Sequence, residues 1–224
     1  MQGDGLELSN QDVRRPVARV TLTRLRGSLG HSLTRPIVPL LVRLGLKPNS
    51  LTLLGLGLSL ITAVVVALDK FPLGGILLLL AGLFDLLDGA VARATKQDTL
   101  FGGLLDSVVD RLSEAALFFG LLVSYAPWGN ARLEVWLLFL ALVGSLMVSY
   151  VRARSEGLGL ECKVGILTRA ERMVILSLGL LLNQMLIALV LLVLLTFATV
   201  VQRLLFVRRQ SGNRQSVVNE KEGK

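Results

Sequence analysis

The sequence predicts an all-α membrane protein: six transmembrane helices preceded by an N-terminal amphipathic juxtamembrane helix. Three observations carry this expectation. Of the 224 residues, 53% are hydrophobic, above the roughly 45–50% usual for a soluble domain, and the mean hydropathy is +0.66. The excess gathers in long uncharged runs, Leu51–Leu68, Val135–Val151 and Met173–Val201, the last divided by Asn183 and Gln184. A run of about 18 or more apolar residues crosses the hydrocarbon layer as a helix. None of these runs alternates polar and apolar residues, as the strands of a membrane barrel do.

The elements follow in order. Residues 1–18 are polar and read as a disordered N-terminus. Residues 19–47 read as the juxtamembrane amphipathic helix, because Val20–Leu44 mixes apolar residues with Arg24, Arg26, Arg35 and Arg43. Pro36 is expected to bend or break it. Lys47–Ser50 forms a turn, where Asn49 or Ser50 can cap the next helix. Residues 48–206 hold the six spans: about Ser50–Leu68, Leu73–Thr95, Thr99–Tyr125, Leu133–Arg154, Ala170–Leu182 and Met185–Phe206. Breaks at Asp69–Pro72, Lys96–Asp98 and Pro127–Asn130, and a basic loop from Ser155 to Arg169, separate them. Residues 207–224 form a polar, mobile, cytoplasmic tail.

Charge sets the orientation. The net charge is +8, which in a soluble protein would suggest nucleic acid. Here the basic residues flank the apolar runs, so anionic lipid headgroups and the positive-inside rule account for them, and no nucleic-acid partner is expected. Arg93, Lys96, Arg152, Arg154, Lys163, Arg169, Arg172, Arg203, Arg208, Arg209 and Arg214 lie on one side of the predicted bundle, whereas the opposite turns hold only Lys70 and Arg132. A multi-pass cell-membrane protein with both ends in the cytoplasm fits this bias. One cysteine, Cys162, excludes an intramolecular disulfide, and the single His31 excludes a histidine metal site. The N-terminus has no signal-peptide core. Trp128 and Trp136 suit anchoring at the outer interface.

The chemistry lies in four acids. Charged groups are costly inside a membrane, so each marks a functional candidate. Asp85 and Asp88 are three residues apart at the cytoplasmic end of the second span, and Asp106 and Asp110 are four apart near the start of the third. Those spacings put each pair on one helix face, and the short turn between the spans makes the helices antiparallel neighbours. Four carboxylates together in a partly dry place repel one another unless some are protonated or cations are bound. Oxygen-only ligands select hard ions, Mg2+ or Mn2+, and two such ions form a clamp suited to phosphoryl chemistry. Gly89 and Gly102 allow close approach of a helix or ligand. Arg93, eight residues after Asp85, shares its face and can reach a phosphate.

Asp85-Leu86-Leu87-Asp88-Gly89-Ala90-Val91-Ala92-Arg93, followed by Gly102, Asp106 and Asp110, resembles the complete signature of the CDP-alcohol phosphotransferases, eight fixed residues in a 26-residue window. The apolar pattern resembles that family across about Pro36–Phe206. The resemblance implies that Asp85, Asp88, Asp106 and Asp110 hold two metal ions and that Asp110 is also the general base. It implies that Gly89, Arg93 and Thr99 contact the CDP part of a CDP-lipid. Pro48-Asn49-Ser50-Leu51-Thr52 resembles the stretch lining the nucleotide site, which adds Asn49, Ser50 and Thr52. A homodimer is also implied. The expected reaction moves a phosphatidyl-type group from the CDP-lipid to a polar alcohol and releases CMP.

For the acceptor, Ser149–Gly157 and Thr168–Arg172 resemble the Ser-x-x-Lys-Ala-Arg-Ala-Glu and Glu-Arg patterns of phosphatidylinositol phosphate synthases, with Arg152 in place of the lysine and Ser155 in place of an alanine. Arginine keeps the charge with different geometry. Arg152, Arg154 and Arg172 suit an acceptor that already carries a phosphate. Inositol 1-phosphate is the first choice and glycerol 3-phosphate the alternative. A transporter using the same acids is the competing class, although such sites usually lie near the bilayer midplane. Neither the donor's tails (diacylglycerol or archaeol) nor the choice between Mg2+ and Mn2+ is written in these residues.

Overall fold

The computed structural model describes residues 36–96, 99–126, 132–162 and 164–222. The expected disordered segment 1–18, most of the juxtamembrane helix, His31 and Trp128 lie outside the described residues. All regular structure among the described residues is helical. A short helix α1 (Val38–Arg43) is followed by α2 (Pro48–Ala67), α3 (Phe71–Thr95), α4 (Leu100–Tyr125), α5 (Arg132–Gly157), α6 (Arg169–Leu181) and α7 (Met185–Glu222).

Local sequence accounts for the boundaries. Pro36 and Ile37 form a turn before α1, as a proline there requires. Lys47 is the cap residue of α2 and Pro48 opens the helix, with no side-chain cap bond. Proline's fixed φ suits that first position, so Asn49 and Ser50 lie inside the first turn and do not cap it. The turn after α2 passes through Asp69 at a φ of 60°, held by Ser124 Oγ donating to Asp69 Oδ1 at 2.5 Å. Helix α3 ends at Lys96, which is left-handed. Thr99 then caps α4, its side chain accepting from the Gly102 N–H at 2.9 Å. Thr168 and Glu171 make a reciprocal capping box at the start of α6.

Among the described residues, four helices are long and apolar enough to cross a membrane: α2, α3, and the segments Leu133–Gly157 of α5 and Met185–Gly212 of α7. Six had been expected. Helix α4 is long enough, but it carries Asp106, Asp110, Arg111 and Glu114 between its start and its middle turns. Helix α6 has 13 residues, about 20 Å of helix against about 30 Å of hydrocarbon. The tail also differs from expectation, because α7 continues to Glu222. No proline interrupts residues 207–222, and most of their residue types tolerate helix well.

Helix α2 packs on α3 and α4, α3 on α6, α6 on α7, α5 on α7, and α4 on α5. Close approach of α2 and α4 depends on Gly120, where an added Cβ would lie 3.0 Å from Ala63 Cα. The shared core, with Val66, Leu78, Leu117, Phe118, Leu121, Leu138, Leu176, Leu180, Leu189 and Leu192, is continuous across six helices, α2 to α7. The outward faces carry exposed leucines, among them Leu53, Leu60, Leu79, Leu104, Leu178 and Leu194. Such wide apolar faces suit hydrocarbon as the surrounding solvent. The acids sit where α3 ends and α4, α2 and α6 begin, so one end of the bundle collects the polar chemistry.

Candidate active site

Two cavities open at that end. The first, of about 420 Å3, is lined by residues that include Asn49, Thr52, Gly89, Arg93 and Thr99, with all four aspartates at its base. The second, of about 350 Å3, is lined by Ser149, Arg152, Arg169, Arg172 and Arg203 and again by Asp106 and Asp110. Asp106 and Asp110 therefore face both. Spacings of three and four on antiparallel helices bring the four carboxylates to one place; that Asp106 and Asp110 border two cavities is a property of the tertiary fold.

Asp88 is buried and held from two directions. Thr52 Oγ1 donates to its Oδ2 at 2.8 Å, and the Gly89 N–H lies 2.5 Å from its Oδ1. Arg169, the first residue of α6, donates to Asp85 Oδ1 at 2.6 Å and also pairs with Asp110. Asp106 Oδ1 is buried with no hydrogen-bond partner. Asp85, Asp88 and Asp106 each offer one carboxylate oxygen, all within 4.8 Å of one another. A buried orphan acceptor beside two further carboxylate oxygens fits a hard divalent cation, and repulsion among the carboxylates calls for one. Gly89 presents no side chain to the first cavity, where the Arg93 guanidinium lies 3.3 Å from the position a Cβ would take.

Some expected residues stand elsewhere. Ser50 is exposed and outside the lining of the first cavity. Arg154 is exposed and outside the lining of the second. It follows Arg152 by two positions, about 200° around a helix, so both cannot face one cavity. Arg172 does line the second cavity, but its Nε and Nη2 are engaged with Glu114 at 2.6 and 2.8 Å, both residues being buried.

Three residues escaped the sequence reading as site components. Glu114 lies four residues after Asp110 and continues its helix face, a spacing that could have revealed it. Arg203 was read only as a charge of the basic side. It is 4% exposed, donates Nε to Val164 O at 2.9 Å, also donates to Val148 O, and lines the second cavity. Arg169 was noted in a pattern and given no role, and only the tertiary fold puts it on the aspartates.

Residues 46–212 match the CDP-alcohol phosphatidyltransferase family. The chain belongs to that family. It is a membrane-embedded transferase of phospholipid biosynthesis, and its Asp85, Asp88 and Asp106 oxygens lie close enough to hold a metal ion. Archaetidylinositol phosphate synthase of Pyrococcus horikoshii is 39% identical over 183 residues, 81% of this chain and 94% of that relative. Phosphatidylinositol phosphate synthase of Mycobacterium tuberculosis is 40% identical over 155 residues, 66% of this chain and 68% of that relative. The crystal structure of the Mycobacterium tuberculosis phosphatidylinositol phosphate synthase with manganese and citrate matches with a TM-score of 0.73 at 35% identity, covering 78% of this chain and 88% of that one. Its structure with CDP-DAG bound matches with a TM-score of 0.71 at 34% identity, covering 78% and 92%.

Proposed function

We propose that this CDP-alcohol phosphatidyltransferase moves the phosphatidyl-type group of a CDP-lipid onto inositol 1-phosphate, giving a phosphatidylinositol phosphate and CMP. The observation that carries the reading is the pair of cavities meeting at Asp106 and Asp110. One is edged by the glycines and Arg93 of the signature, and the other is lined by arginines. The names of the relatives agree with an inositol phosphate acceptor, and the CDP-DAG-bound neighbour agrees with the donor.

Asp85, Asp88, Asp106 and Asp110 would hold two divalent ions, Mg2+ or Mn2+. When bound, these supply charge neutralisation for the donor diphosphate and for the charge that develops during transfer. Asn49, Thr52, Gly89, Arg93 and Thr99 hold the CDP portion in the first cavity. Arg152 and Arg203, with the remaining N–H groups of Arg172, hold the acceptor's phosphate in the second. Asp110 takes the proton from the acceptor hydroxyl. That oxygen forms a bond to the lipid-linked phosphorus, the bond from this phosphorus to the bridging oxygen breaks, and CMP leaves with the electron pair. Asp110 faces both cavities, so its carboxylate can reach a hydroxyl entering from the acceptor side.

The same reading places α4 and α6 in the bilayer as the third and fifth of six spans. The exposed apolar face of α4, including Leu104 at 62% and Phe119 at 66%, supports this for α4. Both termini and the active site then lie on the cytoplasmic side, where the basic residues gather. The proposed homodimer rests on the family resemblance.

The test is CMP release from a CDP-lipid by the purified protein with Mg2+, comparing inositol 1-phosphate, glycerol 3-phosphate, serine and free inositol, each with a diacyl and an archaeol donor. Release with inositol 1-phosphate alone supports the proposal. Release with glycerol 3-phosphate alone replaces the acceptor and keeps the reaction class.

A further inference from the structure

The four aspartates do not present themselves equally. Oxygens of Asp85, Asp88 and Asp106 converge within 4.8 Å. Asp110 instead shares the Arg169 guanidinium with Asp85. That guanidinium is a cation inside the carboxylate cluster, and it bridges Asp110, which stands outside the converging three, to Asp85, which is one of them. Its Nε is buried with no hydrogen-bond partner. The side chain is therefore held by its two ion pairs and leaves one buried donor unpaired, which is a cost to this placement. Arg169 also lines the arginine-rich acceptor cavity and the small polar recess beneath the acids that includes Thr52, Ser59 and Ser113. It stands at the boundary between the metal ligands and the place proposed for the acceptor's phosphate. Its Cα is fixed by the Thr168–Glu171 capping box, so a change of side-chain rotamer alone can move the charge.

We propose that Arg169 is a displaceable internal cation. It pairs with Asp85 and Asp110 until a divalent ion claims Asp110, and it then turns into the acceptor cavity, where it adds a donor for a phosphate. This rests on the reading of the acids as a two-ion metal site. A guanidinium and a divalent ion compete for one carboxylate, because each excludes the other from the same space and their charges repel. Competition lowers the apparent affinity for the ion by the fraction of time that Asp110 is free. The ion on Asp85, Asp88 and Asp106 meets this competition at one of its three ligands, Asp85, and is held by the other two. Loading is therefore stepwise, and completion of the metal set is coupled to assembly of the phosphate site.

Mn2+ binding to the full-length protein in detergent, without substrates, tests this by electron paramagnetic resonance of the free ion. The wild type is expected to show a tighter and a weaker ion. Arg169→Gln is expected to tighten the weaker ion by about tenfold, the change set by a carboxylate otherwise free about one tenth of the time. Arg169→Lys is expected to fall between them, because one ammonium cannot bridge both acids as a guanidinium does. Arg169→Gln that keeps its helical circular dichroism yet binds the weaker ion as the wild type does, or less tightly, overturns the proposal. Should Arg169→Gln fail to fold, Arg169→Lys decides on the same criterion. A wild type that binds Mn2+ while the variants show no tightening sinks this inference alone. A wild type that binds no Mn2+ sinks the metal reading of the acids and this inference with it.

Discussion

Arg172 on α6 and Glu114 on α4 form a buried two-point ion pair, with Nε–Oε1 of 2.6 Å and Nη2–Oε2 of 2.8 Å. The pair ties the helix carrying Asp106 and Asp110 to the helix carrying Arg169. Both partners are almost fully buried, at 2% and 4% exposure, so neither charge is screened by water. Glu114→Ala leaves an uncompensated charge and is expected to lower stability by about 3–5 kcal/mol. The double variant Glu114→Met with Arg172→Met should recover most of that loss. Thermal unfolding in detergent measures both.

The bond from Thr52 to Asp88 links α2 to the metal-binding end of α3. Groups that orient a metal ligand typically contribute 10–100-fold to affinity. Thr52→Val removes the hydroxyl at nearly constant shape and is expected to weaken Mn2+ binding by about tenfold, with unfolding temperature little changed. Direct ion titration reads this without any assay of turnover.

Gly120 has no room for a side chain against the Ala63 backbone. Gly120→Val must push α2 and α4 apart, and overpacking of this kind costs about 1–3 kcal/mol. A lower unfolding temperature is expected, with a loss of activity larger than the loss of folded protein, because α4 carries two of the four aspartates.

Asp110→Asn is isosteric and keeps the residue's volume while removing its base. The transfer rate is expected to fall by a factor of about 10²–10⁴, the usual contribution of general acid–base catalysis, or more through the lost metal ligand. Chelation of divalent ions should abolish CMP release by the wild type, and Mg2+ or Mn2+ should restore it. Single-turnover CMP release measures both effects.

Much of this was legible in the sequence, for physical reasons that differ by residue. The Asp85, Asp88, Asp106 and Asp110 cluster follows from helix periodicity and a short turn, both local properties. The boundaries near Asp69, Lys96 and Thr99 follow from turn and cap chemistry. Long-range pairing was not legible. Nothing local says that Arg172 is engaged with Glu114, 58 residues away, or that Arg169 reaches Asp85, 84 residues away. The positive-inside rule explained Arg203 well enough to conceal its position on the acceptor cavity. The capping roles offered to Asn49 and Ser50 failed because Pro48 had already set the helix start. The end of helix α6 was legible, because Asn183 and Gln184 interrupt the apolar run and Asn183 takes a φ of 54° there, but the 13 residues before that turn are short for a full span.

In the proposed reaction, donor and acceptor occupy separate cavities meeting at Asp106 and Asp110. The most direct test of that arrangement is the set of KM values for CDP-lipid and for inositol 1-phosphate in Arg93→Gln and in Arg152→Gln. Arg152 is exposed and its Nε pairs with Glu156 one helical turn away, so its replacement should leave the fold intact. The account predicts that Arg93→Gln raises the KM for CDP-lipid alone and that Arg152→Gln raises the KM for inositol 1-phosphate alone, each by about tenfold. Equal changes for both substrates in both variants, or the reverse assignment, would contradict it.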